Sequence, residues 1–253
     1  MGRGGQPRAV RRRVFGRSAN RQALRLTEFG PLRRPTLILG GFHGDEPKSV
    51  HVVRLLIDVL KKVSGRVNGP HTLDAGRSGK KYLTPFTVVI VPVVNPDGYE
   101  RRNRRNSHGV DLNRNFPTDD WQPGRRRSRY YGGERAASES ETRALIRLIE
   151  RIRPRQIITV HSISEHRFCN NFDGPGASLA RLLSRCNGYP VRGSIGYPTP
   201  GSLGTWAGVE RQIPTVTLEL PSHHSPKRCW EDNRAALLAA VADVLSGVLP
   251  GGT

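Results

Sequence analysis

Four short runs of this chain are almost wholly apolar: TLILGGF at 36–42, FTVVIVPVV at 86–94, RQIITVHS at 155–162 and IPTVTLELP at 213–221. A strand with one wet face alternates apolar and polar residues. Runs that do not alternate are buried on both faces, as in parallel sheets lying under helices. Stretches with apolar residues at helical spacing separate or follow these runs, at 46–63, 138–153 and 233–249. Pro47 falls in the first turn of the first, where its missing N–H costs little. The second opens on Ser and acidic residues, an N-terminal cap signal. The pattern predicts one α/β domain whose sheet is covered by helices on both faces.

The chain has 253 residues, enough for one large domain with a real core. No run of about 18 apolar residues is present, so no membrane-spanning helix is expected. Residues 1–13 are basic with almost nothing to bury, and they read as a disordered tail before a domain at 14–253. No apolar segment follows the N-terminal charges, so no secretory leader is expected. Three cysteines, an odd number without a CxxC pair, fit a reducing compartment. Both readings point to the cytoplasm.

The formal charge is +20. A charge of this size favours anionic partners, either nucleic acid through its phosphates or small anionic substrates drawn in by the field. The arginines are scattered along the chain, with no zinc-finger spacing, aromatic interleaving or basic heptad helix. Nucleic acid is therefore not the expected main partner.

In α/β sheets, function gathers at the carboxyl ends of the strands. His43 and Glu46 follow the first run, an NPDG turn follows the second, His161 ends the third, and Glu219 lies near the end of the fourth. HxxE alone is a common turn. With His161 it makes a His2Glu set, a pattern of hydrolytic zinc sites with one position left open. A carboxylate at the end of an apolar run is costly without a partner, so Glu219 is either ion-paired or a poised general base.

Residues 95–117 read NPDGYERRNRRNSHGVDLNRNFP. With HGDE upstream, and VHS and TLELP downstream, this stretch resembles the signature of the zinc carboxypeptidase family. Four ordered motifs span 40–221. The resemblance implies a mixed, mostly parallel sheet and one zinc ion held by His43, Glu46 and His161. It implies Glu219 as general base and Arg104 as the cation that steadies the oxyanion. It implies Asn113 and Arg114 as the clamp on the substrate's free carboxylate, a task suited to a guanidinium fork. Tyr197 resembles the mobile tyrosine that closes over substrate. Asp111 is expected in a supporting role, and Trp206 in the pocket wall or core.

Asp45 stands before Glu46 where digestive members often carry an arginine. GGFHGDE, GYPTPGSLGTW and VTLELP are most similar to the family's bacterial murein peptide amidase branch. That likeness implies a small anionic murein peptide as substrate, cut at its γ-D-glutamyl–meso-diaminopimelate amide. Gly204 is expected to leave room for the long leaving residue. A carboxypeptidase acting on C-terminal L-amino acids is the alternative within the family. A non-catalytic basic protein that binds nucleic acid or cell-wall polymer is the alternative outside it.

Overall fold

The computed structural model describes residues 10–30, 33–64, 72–74, 81–83, 87–164 and 167–242. In chain order its strands are β1 (Arg11–Arg17), β2 (Ala23–Phe29), β3 (Thr36–Leu39), β4 (Thr72–Asp74), β5 (Lys81–Leu83), β6 (Val88–Val91), β7 (Gln156–Ile163), β8 (Cys169–Asp173), β9 (Val191–Arg192) and β10 (Thr215–Pro221). Its helices are α1 (Pro47–Ser64), α2 (Pro96–Glu100), α3 (Ser140–Ile152), α4 (Ala177–Asn187) and α5 (Pro226–Val241). Eight strands form one sheet in the order β1-β2-β6-β3-β7-β10-β8-β9, while β4 and β5 pair separately.

The four apolar runs of the sequence are the four central strands, all parallel to one another. Antiparallel partners flank them, β2 beside β6 and β8 beside β10. The sheet is mixed with a parallel heart, as the motifs imply.

Side-chain alternation sorts the core into two layers. Ile38, Ile90, Ile158, Val160 and Leu218 face α1, α4 and α5, and pack with Val52, Leu56, Leu183 and Leu237. Leu37, Val89 and Ile157 face the other way, toward Leu145 and Leu148 of α3 and toward Phe116 and Trp206. Each such side chain contributes about 1.5–3 kcal/mol by leaving water.

Three sequence expectations are corrected. The expected tail at 1–13 is part strand, because Arg11–Arg13 pair in register with Glu28, Thr27 and Leu26. An edge strand needs no buried side chains, so arginines can sit there and also discourage strand addition by other chains. Residues 1–9 lie outside the described part. The last helix begins at Pro226 rather than 233, with Ser225 Oγ accepting from the Arg228 amide. Its polar first turns hide that start, and the described part of the chain ends at residue 242, before the expected end at 249. The expected loop at 68–81 lies mostly outside the described residues, and its described part enters the β4–β5 pair. Among the described residues no helix is long and apolar enough to cross a membrane.

Candidate metal centre and cleft

The HGDE turn and the NPDG segment are locked together by close backbone contact. A Cβ on Gly44 would lie 2.0 Å from the Gly98 carbonyl carbon, and the Gly44 amide donates to Asn103 O at 3.1 Å. Asn95 caps α2 by accepting from the Gly98 amide, and its Nδ2 donates to Phe42 O and Arg104 O, each at 3.2 Å. One asparagine thus ties the turn after β3 to the bend that carries Arg104.

His43, Glu46 and His161 converge, with donor atoms all within 4.8 Å of one another. His43 Nδ1 is 2.7 Å from Glu46 Oε1. His161 Nδ1 is 3.2 Å from both Glu46 Oε2 and His43 Nδ1. On its far side His43 Nε2 faces Asp111 Oδ1 at 3.1 Å, and the Ser162 amide donates to Glu46 Oε2 at 3.1 Å. With Nε2 donating to Asp111, neutral His43 aims the lone pair of Nδ1 into the cluster. Two imidazole nitrogens and a carboxylate then crowd one point, all buried, which is favourable only around a cation. The residues therefore fit a zinc ion, with three protein ligands and room for a fourth.

Buried together, these groups shift one another's protonation. Burial would pull the His43 pKa down, but the carboxylates of Glu46 and Asp111 outweigh it and raise it. Burial would push Glu46 up, but His43 and His161 hold it well below the usual range. In His161 burial wins and lowers the pKa. Its Nε2 is buried without a hydrogen-bond partner, and its ring stacks on Phe42 at 5.5 Å between centroids.

Glu219 is the register partner of His161 across the parallel β7–β10 ladder, so both side chains leave the same face. It is buried, and its carboxyl is pushed up to about 8, first by burial and then by the charge of Glu46.

Arg104 donates through Nε to Asp111 Oδ2 at 2.9 Å, and its Nη2 lies 2.8 Å from the same oxygen. Its Nη1 stands 3.5 Å from Glu46 Oε1. Asp111 thus positions a ligand and a cation at once, which is the supporting role expected of it. Arg114 is 5% exposed and donates to Asn113 O at 2.7 Å. Asn113 Oδ1 accepts from the Leu203 amide at 2.9 Å, which leaves its amide nitrogen toward the cleft. Tyr197 stands at the rim, 37% exposed, with its ring 6.5 Å from that of Tyr130. All eight site residues named from sequence line one cleft of about 430 Å³. Trp206 is fully buried in the core layer below.

Gly204 is corrected in its reason. A Cβ there would meet Asp173 Oδ2 at 2.3 Å, so the space it leaves is filled by a carboxylate rather than held open. Asp173 lines the cleft, and burial alone pushes its carboxyl up to about 6. Asn171, two residues earlier on the same face of β8, has a buried Oδ1 with no partner. The sequence reading missed both residues, because CNNFD lacks the apolar signature of a strand. The only available signal was a lone Asp before a Gly-Pro turn.

One mixed sheet with core on both faces, and with a His2Glu cluster, a buried glutamate and a guanidinium at its carboxyl edge, defines a zinc metallopeptidase. The chain belongs to the zinc carboxypeptidase family, whose model matches residues 4–170. It is 32% identical over 200 residues to murein peptide amidase A of Escherichia coli K12, covering 75% of this chain and 72% of that one. It is equally similar to murein peptide amidase A of Vibrio campbellii, covering 73% and 68%. The crystal structure of murein-tripeptide amidase MpaA from Escherichia coli O157 superposes with a TM-score of 0.68 at 30% identity, over 94% of each chain. Bovine thrombin-activatable fibrinolysis inhibitor, in complex with tick carboxypeptidase inhibitor, shares the fold at 21% identity and a TM-score of 0.73, over 93% and 89%.

Proposed function

We propose that this enzyme removes the terminal diaminopimelate of small murein peptides by cutting the γ-D-glutamyl–meso-diaminopimelate amide, in the cytoplasm, as part of cell-wall recycling. The observation that carries the reading is the cleft itself. One cleft is lined by the His43–Glu46–His161 cluster, Glu219, the Asn113–Arg114 pair and an acidic group, Asp173. Diaminopimelate offers a carboxylate beside the scissile amide, suited to Arg114, and at its far end an ammonium, suited to Asp173, next to a second carboxylate. Likeness to two murein peptide amidases supports the substrate, and three free thiols fit the compartment.

A zinc ion held by His43, Glu46 and His161 would supply Lewis-acid chemistry, making water more acidic and an amide carbonyl more electrophilic. Glu219 takes the proton from water as its oxygen attacks the carbonyl carbon. A carboxyl with a raised pKa suits a group that must hold this proton and then release it to the leaving nitrogen. Arg104, oriented by Asp111, faces the negative charge that grows on the carbonyl oxygen. Asn113 and Arg114 hold the carboxylate of the leaving residue, and Tyr197 closes the mouth from the rim. Because the clamp needs a free carboxylate, only an end residue fits.

A carboxypeptidase for C-terminal lysine or arginine is the second reading, and Asp173 is the observation that favours it. Product analysis separates the two. L-Ala-γ-D-Glu-meso-diaminopimelate is expected to release diaminopimelate, to stop doing so with chelator, and to outpace peptides ending in L-Lys or L-Arg. Glu219→Gln is expected to lower kcat at least 1,000-fold, or about 4 kcal/mol, while zinc stays bound. Undiminished turnover in that variant would sink the mechanism.

A further inference from the structure

The cleft continues beyond Arg104 into a second hollow of about 350 Å³. Arg104 and Arg129 line both hollows, whereas Asn113 and Arg114 line only the first. If the leaving residue is clamped at Arg114, the retained part of the substrate runs toward Arg129.

The second hollow holds more guanidinium than carboxylate charge. Its cationic walls are Arg102, Arg104, Arg105 and Arg129, and its one acid is Asp45. Arg104 is committed to Asp111. Arg105 donates to Arg127 O at 2.8 Å and Ser128 O at 3.2 Å, which braces the loop that carries Arg129. Arg102 lies over the Tyr99 ring at 5.6 Å, with no carboxylate beside it among the described residues. Arg129 Nη2 is 3.2 Å from Asp45 Oδ2, with the two side chains 57% and 28% exposed. A pair so exposed is weak, so its arginine can exchange one carboxylate for another.

We infer that this hollow is a carboxylate subsite for the retained side of the substrate, with Arg129 as the reading group and Asp45 as the internal competitor that holds it in place. The inference rests on the proposed amide hydrolysis. A γ-linked D-glutamate carries its free α-carboxylate on the third carbon from the scissile carbonyl, on the retained side. An ordinary α-linked residue carries no carboxylate on its main chain there. The plainer account is that Arg129 and Asp45 only staple a loop to the HGDE turn. The staple alone has no reason to distinguish a charged substrate from a neutral one.

The test compares kcat/KM on L-Ala-γ-D-Glu-meso-diaminopimelate with its α-carboxamide form, which keeps the shape and removes the charge. The wild-type enzyme is expected to favour the acid by about 3- to 10-fold, mainly through KM, and less so as salt is raised. Arg129→Ala is expected to bring the ratio near one, Arg129→Lys to restore part of it, and Asp45→Asn to enlarge it by freeing the arginine. Equal wild-type rates on the two peptides would overturn the subsite and leave the hydrolase reading standing. A loss in Arg129→Ala that is the same for both peptides would also overturn it, in favour of the staple. Zinc-loaded enzyme that cuts neither peptide overturns the function and the subsite together.

Discussion

Asp111 and His43 are held 3.1 Å apart, Oδ1 to Nε2, on the side of the imidazole that faces away from the metal cluster. The carboxylate sets which ring nitrogen keeps its lone pair for the ion. Asp111→Asn is expected to weaken zinc binding about 10- to 100-fold, read by competition with a coloured chelator. The same change loosens Arg104, so kcat is expected to fall in zinc-saturated enzyme as well. Unchanged zinc affinity would show that the ring is oriented by something else.

Gly44 allows the ligand turn to lie on the backbone of α2. Gly44→Ala would force a carbon to 2.0 Å from the Gly98 carbonyl carbon, where no side chain can give way. Overpacking against backbone is expected to cost about 2 kcal/mol or more, seen as a lower midpoint in denaturant. A variant as stable as wild type would mean that the two loops are not in contact in solution.

Gly204 makes a separate prediction. In Gly204→Ala the new methyl meets the carboxylate of Asp173 rather than backbone, and that side chain can swing aside. The fold is expected to survive, with KM for a leaving residue bearing a far-end ammonium rising several-fold while kcat moves less. A variant with KM unchanged would remove Asp173 from substrate recognition.

Asp173 also sets a pH dependence. Burial raises its carboxyl to about 6, so the pocket is negative above that pH and neutral below it. KM for a leaving residue with a far-end ammonium is expected to rise as pH falls through about 6, and Asp173→Asn should flatten that profile. Stability runs in the opposite sense. A carboxyl whose folded pKa lies above its unfolded value of about 3.9 stabilises the fold at low pH, and this contribution is lost as pH rises through 6. Asp173→Asn is therefore expected to melt higher than wild type at pH 8, with the difference vanishing near pH 4. Thermal scans in zinc-loaded protein at both pH values check this.

His43, His161 and Glu219 were legible because each lies at or near the end of an apolar run, where a polar residue has no packing role, and Glu46 by its spacing from His43. The parallel heart of the sheet was legible from the same runs. The flanking strands were not. β1 carries four arginines on a largely exposed edge, and β8 is CNNFD, whose buried Asn170 is held by hydrogen bonds to Asn187 Oδ1 and Tyr189 O rather than by apolar packing. Asp173 was hidden for a further reason. Its surroundings depend on Gly204, which lies far along the chain and meets it only through tertiary packing. Arg129 sits in a run of arginines at 125–129, where nothing local singles out the one that reaches Asp45.

The ladder that places Glu219 beside His161 has one more consequence. Side chains alternate across a strand, so a slip of β10 by a single residue would carry the glutamate through the sheet, among Val160, Leu218 and the helices behind them. Such a molecule would keep its helix content, most of its buried surface and all three donors to the ion. It would pass by circular dichroism and by metal analysis, and hydrolyse nothing. Turnover per bound zinc is therefore a count of correctly threaded molecules in a preparation, which neither measurement supplies alone.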